Sequence, residues 1–330
     1  MSRPCIALIS DPTSTEGCAD VLAQAVDLLT GAPPVRVDSR RLATGGTGRA
    51  VPAGEGLRLT VPEQGLDLVP DIVVLYEIPP HRRGALAPLQ LLLERQGVVT
   101  LAAGPEAWRA ATRKDLTVER FRRDGIAHME TLLLSRSVPQ EAWAALDKLG
   151  GDAWARPVVG TGGNDVFHVT GPDTLHRAAQ FYARRDIDWL LSRDAGNFTA
   201  TGARHQFRVF VLGDRVVHAR EHVQSSPDTP CNTCQGAVPL HIAPPDLPPR
   251  LTELAVAATV STGLPFAGVD LAAEHGGVVF EVNVQPAFVD GELHTVAVPY
   301  IRAHLEAYAR RRPAGRGEPL CDASPRPDRI

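Results

Sequence analysis

The sequence predicts an α/β protein built from several lobes, and three observations carry that prediction. The first 104 residues alternate apolar runs of strand length with segments of helical periodicity, which implies a mostly parallel sheet. Residues 266–288, FAGVDLAAEHGGVVFEVNVQPAF, place two apolar runs around His275-Gly276 and predict a β-hairpin. The chain has 330 residues, 44% of them apolar, enough to bury a real core in two or three lobes.

Taken in order, CIALIS reads as a strand, CADVLAQAVDLLTG as a helix stopped by Gly31, and DIVVLYEI as a second strand. Residues 41–66, rich in Gly and polar side chains, are expected to hold loops and an irregular strand. ALAPLQLLLERQG has helical spacing and stops at Gly97, and VVTLAA follows as another strand. No GxGxxG follows the first strand, which argues against a dinucleotide site. From residue 105 the pattern changes. PEAWRAA and KDLTVERFRRDG predict helices, the second with Gly125 at C′. HMETLLL and AWARPVV predict strands on either side of the helix VPQEAWAALDKLGG. GTGGNDVFHV is a loop and a strand, and DTLHRAAQFYARR is a helix with Asp173 as its N-cap candidate. HQFRVFVLGDRVVHARE predicts a hairpin turning at Gly213-Asp214. The helix PRLTELAVAATVSTG, the 266–288 hairpin and a last helix, YIRAHLEAYARR, complete the fold. The tail from Pro313, rich in Pro, Arg and Asp, is expected to be disordered. The expected domains are 1–104, 105–195, 196–312 and the tail 313–330.

Composition removes several function classes. A net charge of −4 with 5% aromatics does not suggest a nucleic-acid surface. No apolar run reaches about 18 residues, so no membrane span is expected. The apolar stretch at MSRPCIALISDP is too short for a signal-peptide core, and a cytoplasmic location is expected. The five cysteines are Cys5, Cys18, Cys231, Cys234 and Cys321, an odd count that argues against a disulfide framework. Cys231 and Cys234 form a single CxxC, which with His222 or His241 reads as a zinc site and otherwise as two free thiols in a loop.

The chemistry concentrates in the C-terminal hairpin. Folded symmetrically about its turn, it sets Asp270 opposite Glu281, and Asn283 shares the face of Glu281. Two carboxylates facing each other across a ladder repel unless a cation lies between them. Asp, Glu and Asn offer oxygen ligands, which suit magnesium or manganese rather than zinc. The competing reading is an edge hairpin with a solvated acidic face. Upstream, the loop Gly160-Thr161-Gly162-Gly163 can present backbone N–H groups to phosphates. Of 34 basic residues only Lys114 and Lys148 are lysines, so a lysine kept at a motif position points to a need for one.

In this order the motifs resemble the ATP-grasp carboxylate–amine ligases, particularly the branch containing the ribosomal protein S6 glutamate ligase, from the first strand to about residue 310. The resemblance implies an ATP-grasp fold behind an N-terminal α/β pre-ATP-grasp domain. It implies that Asp270, Glu281 and Asn283 hold the magnesium ions of MgATP, and that residues 160–163 close over the nucleotide. Lys114 matches the first nucleotide lysine. Arg156, before Pro157, stands where the family has lysine, a change of reach and geometry. Arg208 matches the arginine that contacts the γ-phosphate and the developing acyl phosphate, and Arg220 a second arginine on the returning strand. Asn232 and Gly236 match an N-x-x-x-G element of the substrate loop. Three departures stand out besides Arg156: the order Lys114-Asp115, Gln206 where an acid is usual, and WLLSRD at 189–194 where the hinge usually shows Gln-Glu-Phe or Gln-Glu-Tyr. The implied activity is an ADP-forming ligase that activates a small carboxylate as an acyl phosphate and passes it to an amine, on a small molecule, peptide or protein. A homo-oligomer is compatible with it. The rivals are a non-catalytic nucleotide-binding or regulatory module and a ligase acting on peptide side chains.

Overall fold

The computed structural model describes residues 3–135, 139–288 and 290–311; the tail expected to be disordered, with Cys321, lies outside the described residues. The chain separates into two compact units, Met1–Trp108 with Gln285–Ile330, and Arg109–Val284.

In the first unit the strand Ile6–Ser10 pairs in parallel with Val35–Asp38 on one side and Ile72–Leu75 on the other. Ile72–Leu75 is buried throughout, as a strand covered on both faces requires. The helix Cys18–Thr30 ends at Gly31, whose φ of 78° gives the left-handed cap expected of it. Three expectations are corrected here. VVTLAA contributes only a single bridge, Val99 to Ile72, because the N–H of Leu101 bonds His304 Nε2 and leaves the ladder. Residues 41–66, expected to hold loops and an irregular strand, contribute two regular strands, Arg49–Ala53 and Gly56–Val61, which with Leu66–Leu68 form an antiparallel sheet. Its core is the alternation Leu57, Leu59, Val61, all fully buried. The last helix, Val298–Arg311, belongs to this unit rather than to a 196–312 lobe. It packs on the Cys18–Thr30 helix and sets Tyr300 edge-on to Tyr76 at 5.6 Å.

In the second unit the helix Lys114–Asp124 closes at Gly125, with φ 68°. A four-stranded antiparallel sheet follows in the order Thr131–Leu133, Trp189–Arg193, Ala153–Pro157, Phe167–Val169. It shares a core with the helices Pro139–Lys148 and Pro172–Arg185 through Leu146, Ala155, Leu175, Tyr182 and Leu191. Asp173 is not the N-cap of the latter helix. Gly171 holds that position and Pro172 opens the helix, leaving Asp173 in the first turn, where the macrodipole favours it.

A five-stranded antiparallel sheet runs in the order Val238–Ile242, Arg215–Gln224, Arg204–Leu212, Phe266–Ala272, Val278–Asn283, with the helix Pro249–Thr262 packed on it. The last two strands form the expected hairpin, but the connection is no two-residue turn. It is a longer loop with a 3₁₀ turn at Glu274–Gly276 and His275 at φ 55°. Next to the loop Leu271 pairs with Val279, and a bulge between Asp270 and Leu271 then restores the pairing of Asp270 with Glu281.

Candidate active site

Strand register sets His241, Arg220, Arg208, Asp270 and Glu281 side by side across all five strands. Directly paired residues of antiparallel strands share a face. Arg208 grips Asp270 with two bonds, Nε to Oδ1 at 2.7 Å and Nη2 to Oδ2 at 2.6 Å, and both side chains are buried. Burial works against the Arg208 charge, but the Asp270 carboxylate outweighs it and holds the guanidinium above its ordinary value. Asn283 Nδ2 donates to Asp270 Oδ2 at 3.1 Å. Lys114 Nζ lies 3.1 Å from Glu281 Oε1 and 3.4 Å from the Gly160 carbonyl oxygen. The repulsion between Asp270 and Glu281 is thus answered by Arg208 and Lys114. Arg220 stacks on the Phe210 ring at 5.3 Å and is the register partner of Arg208, so two guanidinium groups sit on neighbouring strands.

The Gly-rich loop joins Ala153–Pro157 to Phe167–Val169 and needs its glycines. Gly162 and Gly163 have φ of 68° and 71°. A β-carbon added at Gly163 would lie 3.0 Å from Gln235 Cγ and 3.1 Å from Pro230 Cβ, and one at Gly160 would lie 2.7 Å from Pro157 Cγ. Thr161 is exposed at the tip, where its carbonyl accepts from the N–H of Asn164 at 3.2 Å.

Arg156 enters this loop from the four-stranded sheet. Its Nη2 donates to Ser192 Oγ at 2.9 Å and its Nη1 to the Phe280 carbonyl at 3.3 Å. Its Nε is enclosed without an acceptor, and no carboxylate lies within ion-pair distance of it among the described residues. Burial pushes this guanidinium below its ordinary value, against the more distant pull of Glu281 and Asp270. A cavity opens beside it, lined by Ser192, Gln206, Asp270, Phe280 and Glu281 as well as Arg156. Ser192 and Phe280 were not legible as site residues. Ser192 lies in the anomalous hinge segment WLLSRD, the only signal that pointed there.

Asn232 and Gly236 shape a turn. The Asn232 Oδ1 accepts from the N–H of Cys234 at 2.9 Å, and Gly236 closes the turn at φ 89°. The residue of this turn that reaches the Gly-rich loop is Gln235, whose Nε2 donates to the Gly162 carbonyl at 3.1 Å. Cys231 and Cys234 are free thiols, Cys231 buried and pushed up to about 12 by that burial, Cys234 exposed.

Comparison with known proteins identifies the family. A model of the RimK-like ATP-grasp domain matches residues 125–296. The chain belongs to the RimK-like ATP-grasp family. The matched span carries the Gly-rich loop, Arg156, Arg208, Arg220 and the whole Asp270–Asn283 hairpin. Among solved structures the chain is similar to the ATP-grasp ligase PsnB complexed with a minimal precursor, Mg and ADP, at 17% identity over 92% of this chain and 98% of that one, TM-score 0.63. D-alanine–D-alanine ligase from Bacillus anthracis matches at 14% identity over 93% and 98%, TM-score 0.66. D-cycloserine synthetase DcsG matches at 16% over 92% and 99%, TM-score 0.66. At these identities the likeness shows a shared fold, the α/β ATP-grasp fold. No curated protein matches the chain by sequence.

Proposed function

We propose that the chain is an ATP-dependent, ADP-forming carboxylate–amine ligase. The observation that carries this reading is Arg156, an enclosed cation with no carboxylate at ion-pair distance among the described residues, beside a glycine loop and a carboxylate pair. An enclosed charge calls for a counter-charge, and a nucleotide phosphate supplies one. ATP is the nucleotide. Asp270, Glu281 and Asn283 lie together as oxygen-bearing side chains, and among the described residues Glu281 is engaged through one oxygen, while Arg208 holds both oxygens of Asp270, so the set suits magnesium, or manganese, in charge and donor type. That ion would neutralise the β- and γ-phosphate oxygens.

The residues then divide the work. Lys114 and Arg156 hold the nucleotide, and the N–H groups of 160–163 cover its phosphates. Arg208 and Arg220 face the charge that grows as the substrate carboxylate takes the γ-phosphoryl group and becomes an acyl phosphate. An amine attacks the activated carbonyl and gives the amide and phosphate. No protein nucleophile takes part. Asn232 and Gly236 shape the loop assigned to the substrate. The working lobes are 105–195 and the one that follows from 196, preceded by 1–104. No helix of the described residues is long and apolar enough to cross a membrane, and we place the enzyme in the cytoplasm.

The partners are a small carboxylate and an amine. Because PsnB was solved with a precursor peptide and AMPPNP, the acceptors to be screened include peptides. The test is ADP release from MgATP across acid and amine pairs, with product mass measured. Release that depends on the added carboxylate, with a product heavier than the acid by the amine less water, is the expected result. Tight MgATP binding without carboxylate-dependent ADP release would favour a regulatory module instead.

A further inference from the structure

His168 stands outside the machinery just described, yet its contacts bear on the Gly-rich loop. It lies on Phe167–Val169, the strand that leaves that loop, and pairs in register with Trp154. The two rings stack at 4.6 Å and 13°. Each imidazole nitrogen faces a carboxylate: Nε2 is 2.7 Å from Asp152 Oδ1, and Nδ1 is 2.7 Å from Asp228 Oδ1. An ionised carboxylate only accepts, so both bonds together require both nitrogens to carry a proton. This geometry is that of an imidazolium strung between two aspartates.

The two aspartates belong to different parts of the unit. Asp152 precedes the strand Ala153–Pro157 of the same hairpin. Asp228 sits in the loop after Arg215–Gln224, the loop that also carries Asn232, Gln235 and Gly236. From that loop Gln235 Nε2 reaches the Gly162 carbonyl at 3.1 Å and Asn164 Oδ1 at 3.2 Å. One further carboxylate faces His168. Asp194 offers an oxygen within 4.8 Å of the His168 and Asp152 ligand atoms. Its oxygens are already taken by Trp154 Nε1 at 2.6 Å, the N–H of Gly196 at 2.6 Å and Arg204 at 2.7 Å, so the group is an ion-pair network and not a vacant metal cage. Arg204 answers Asp194 and stacks over Trp154 at 4.9 Å, leaving Asp152 and Asp228 to His168.

We propose that His168 is a positioning residue: as an imidazolium between Asp152 and Asp228 it fastens residues 226–236 to the Gly-rich hairpin. Its consequence for catalysis rests on the reading of 160–163 as a phosphate lid. Loss of the Asp228 carboxylate opens the tie. Substrate loop and lid then move independently, and the nucleotide binds to a looser lid.

The experiment compares wild type, Asp228→Ala, Asp228→Asn and His168→Gln in the full chain at one pH. Asp228 is exposed, so its replacement spares the core. Amide exchange of residues 226–236 is compared between variants, and MgADP affinity is measured by calorimetry. Asp228→Ala is expected to exchange faster and to bind MgADP up to about fivefold more weakly, the range of a partly exposed ion pair. Asp228→Asn, whose amide oxygen can still accept from the ring, should stay close to wild type. Trp154 emission, which senses the ring stacked on it, should differ between wild type and His168→Gln. Exchange and emission in Asp228→Ala and His168→Gln that match wild type would overturn the proposal. Faster exchange with unchanged MgADP affinity would support the tie and overturn instead the assignment of 160–163 as the lid.

Discussion

The two units bury polar groups in opposite ways. In the first, three of them, Glu77, Gln285 and His304, are matched to backbone. Glu77 accepts from the N–H groups of Gly17 at 3.0 Å and Ala19 at 2.6 Å. Gln285 accepts from the N–H of Ile78 at 2.8 Å and donates to the Leu75 carbonyl at 3.0 Å. His304 accepts from the N–H of Leu101 through Nε2 at 3.1 Å and, in the tautomer this requires, donates from Nδ1 to the Tyr300 carbonyl at 2.9 Å. In the second, charge is set against charge: Arg208 against Asp270, Lys114 against Glu281, and Arg156 against a cavity. Bonds to backbone are fixed by the fold and cannot be lent to a ligand. Ion pairs can be shared when a phosphate and a metal arrive. The first arrangement suits rigidity, and the second suits the ligand binding proposed above.

That contrast can be broken at its strongest point by removing Asp270. Asp270→Ala strips the partner from a buried guanidinium and is expected to cost about 3–5 kcal/mol in urea unfolding. Glu281→Gln, at a partly exposed position, should cost about 1 kcal/mol while weakening magnesium-dependent nucleotide binding. Equal stability losses would show that the two carboxylates are not divided between structure and ligand.

The next largest effect tests the first unit. Burial pushes His304 down to about 4, below the value of about 6.5 that it has in an unfolded chain. Between those values the unfolded state binds the extra proton, so stability rises with pH there. It is full above about 6.5 and is lost as pH falls toward 4, on the order of 3 kcal/mol in all. Urea midpoints across this range should show the slope in wild type and not in His304→Gln. A slope that survives the substitution would assign it to carboxylates elsewhere.

The smallest effect on folding, though not on function, is expected at Arg156. Arg156→Ala removes a poorly matched cation and should leave urea unfolding nearly unchanged. It should raise the apparent KM for ATP roughly 10- to 150-fold, the loss of one charge-assisted contact worth about 1.5–3 kcal/mol. Arg156→Lys should keep much of the activity. A destabilised Arg156→Ala with unaltered ATP dependence would move Arg156 to the structural side of the comparison.

What the sequence showed and hid follows from separation along the chain. The Asp270–Glu281–Asn283 set was legible because one hairpin carries it, and strand alternation alone groups its residues. The grip of Arg208 on Asp270 spans 62 positions, and no local pattern announces a pairing register of that range. The strand expected at VVTLAA was lost for the same reason, to a histidine 203 positions away. Residues 49–68 were misread for a different reason: glycines at 54 and 56 outweighed an alternation, Leu57-Leu59-Val61, that was in plain view. Asn232 drew attention through its match to a substrate-loop pattern, while its cap on the Cys234 N–H was a local signal open to reading.

The row of charged residues across the five-stranded sheet also bears on how that sheet assembles. Strand pairing repeats with period two, so a slip of the Arg208 strand by one residue would bring Phe207 or Val209 opposite Asp270 and turn the arginine to the other face. Each misaligned pairing leaves a carboxylate or a guanidinium without its counterpart, so the correct alignment is singled out among several that would bury similar apolar surface. Arg208 and Asp270 are thus coupled in substitution as well: replacing either alone would leave the other's buried charge without its counterpart.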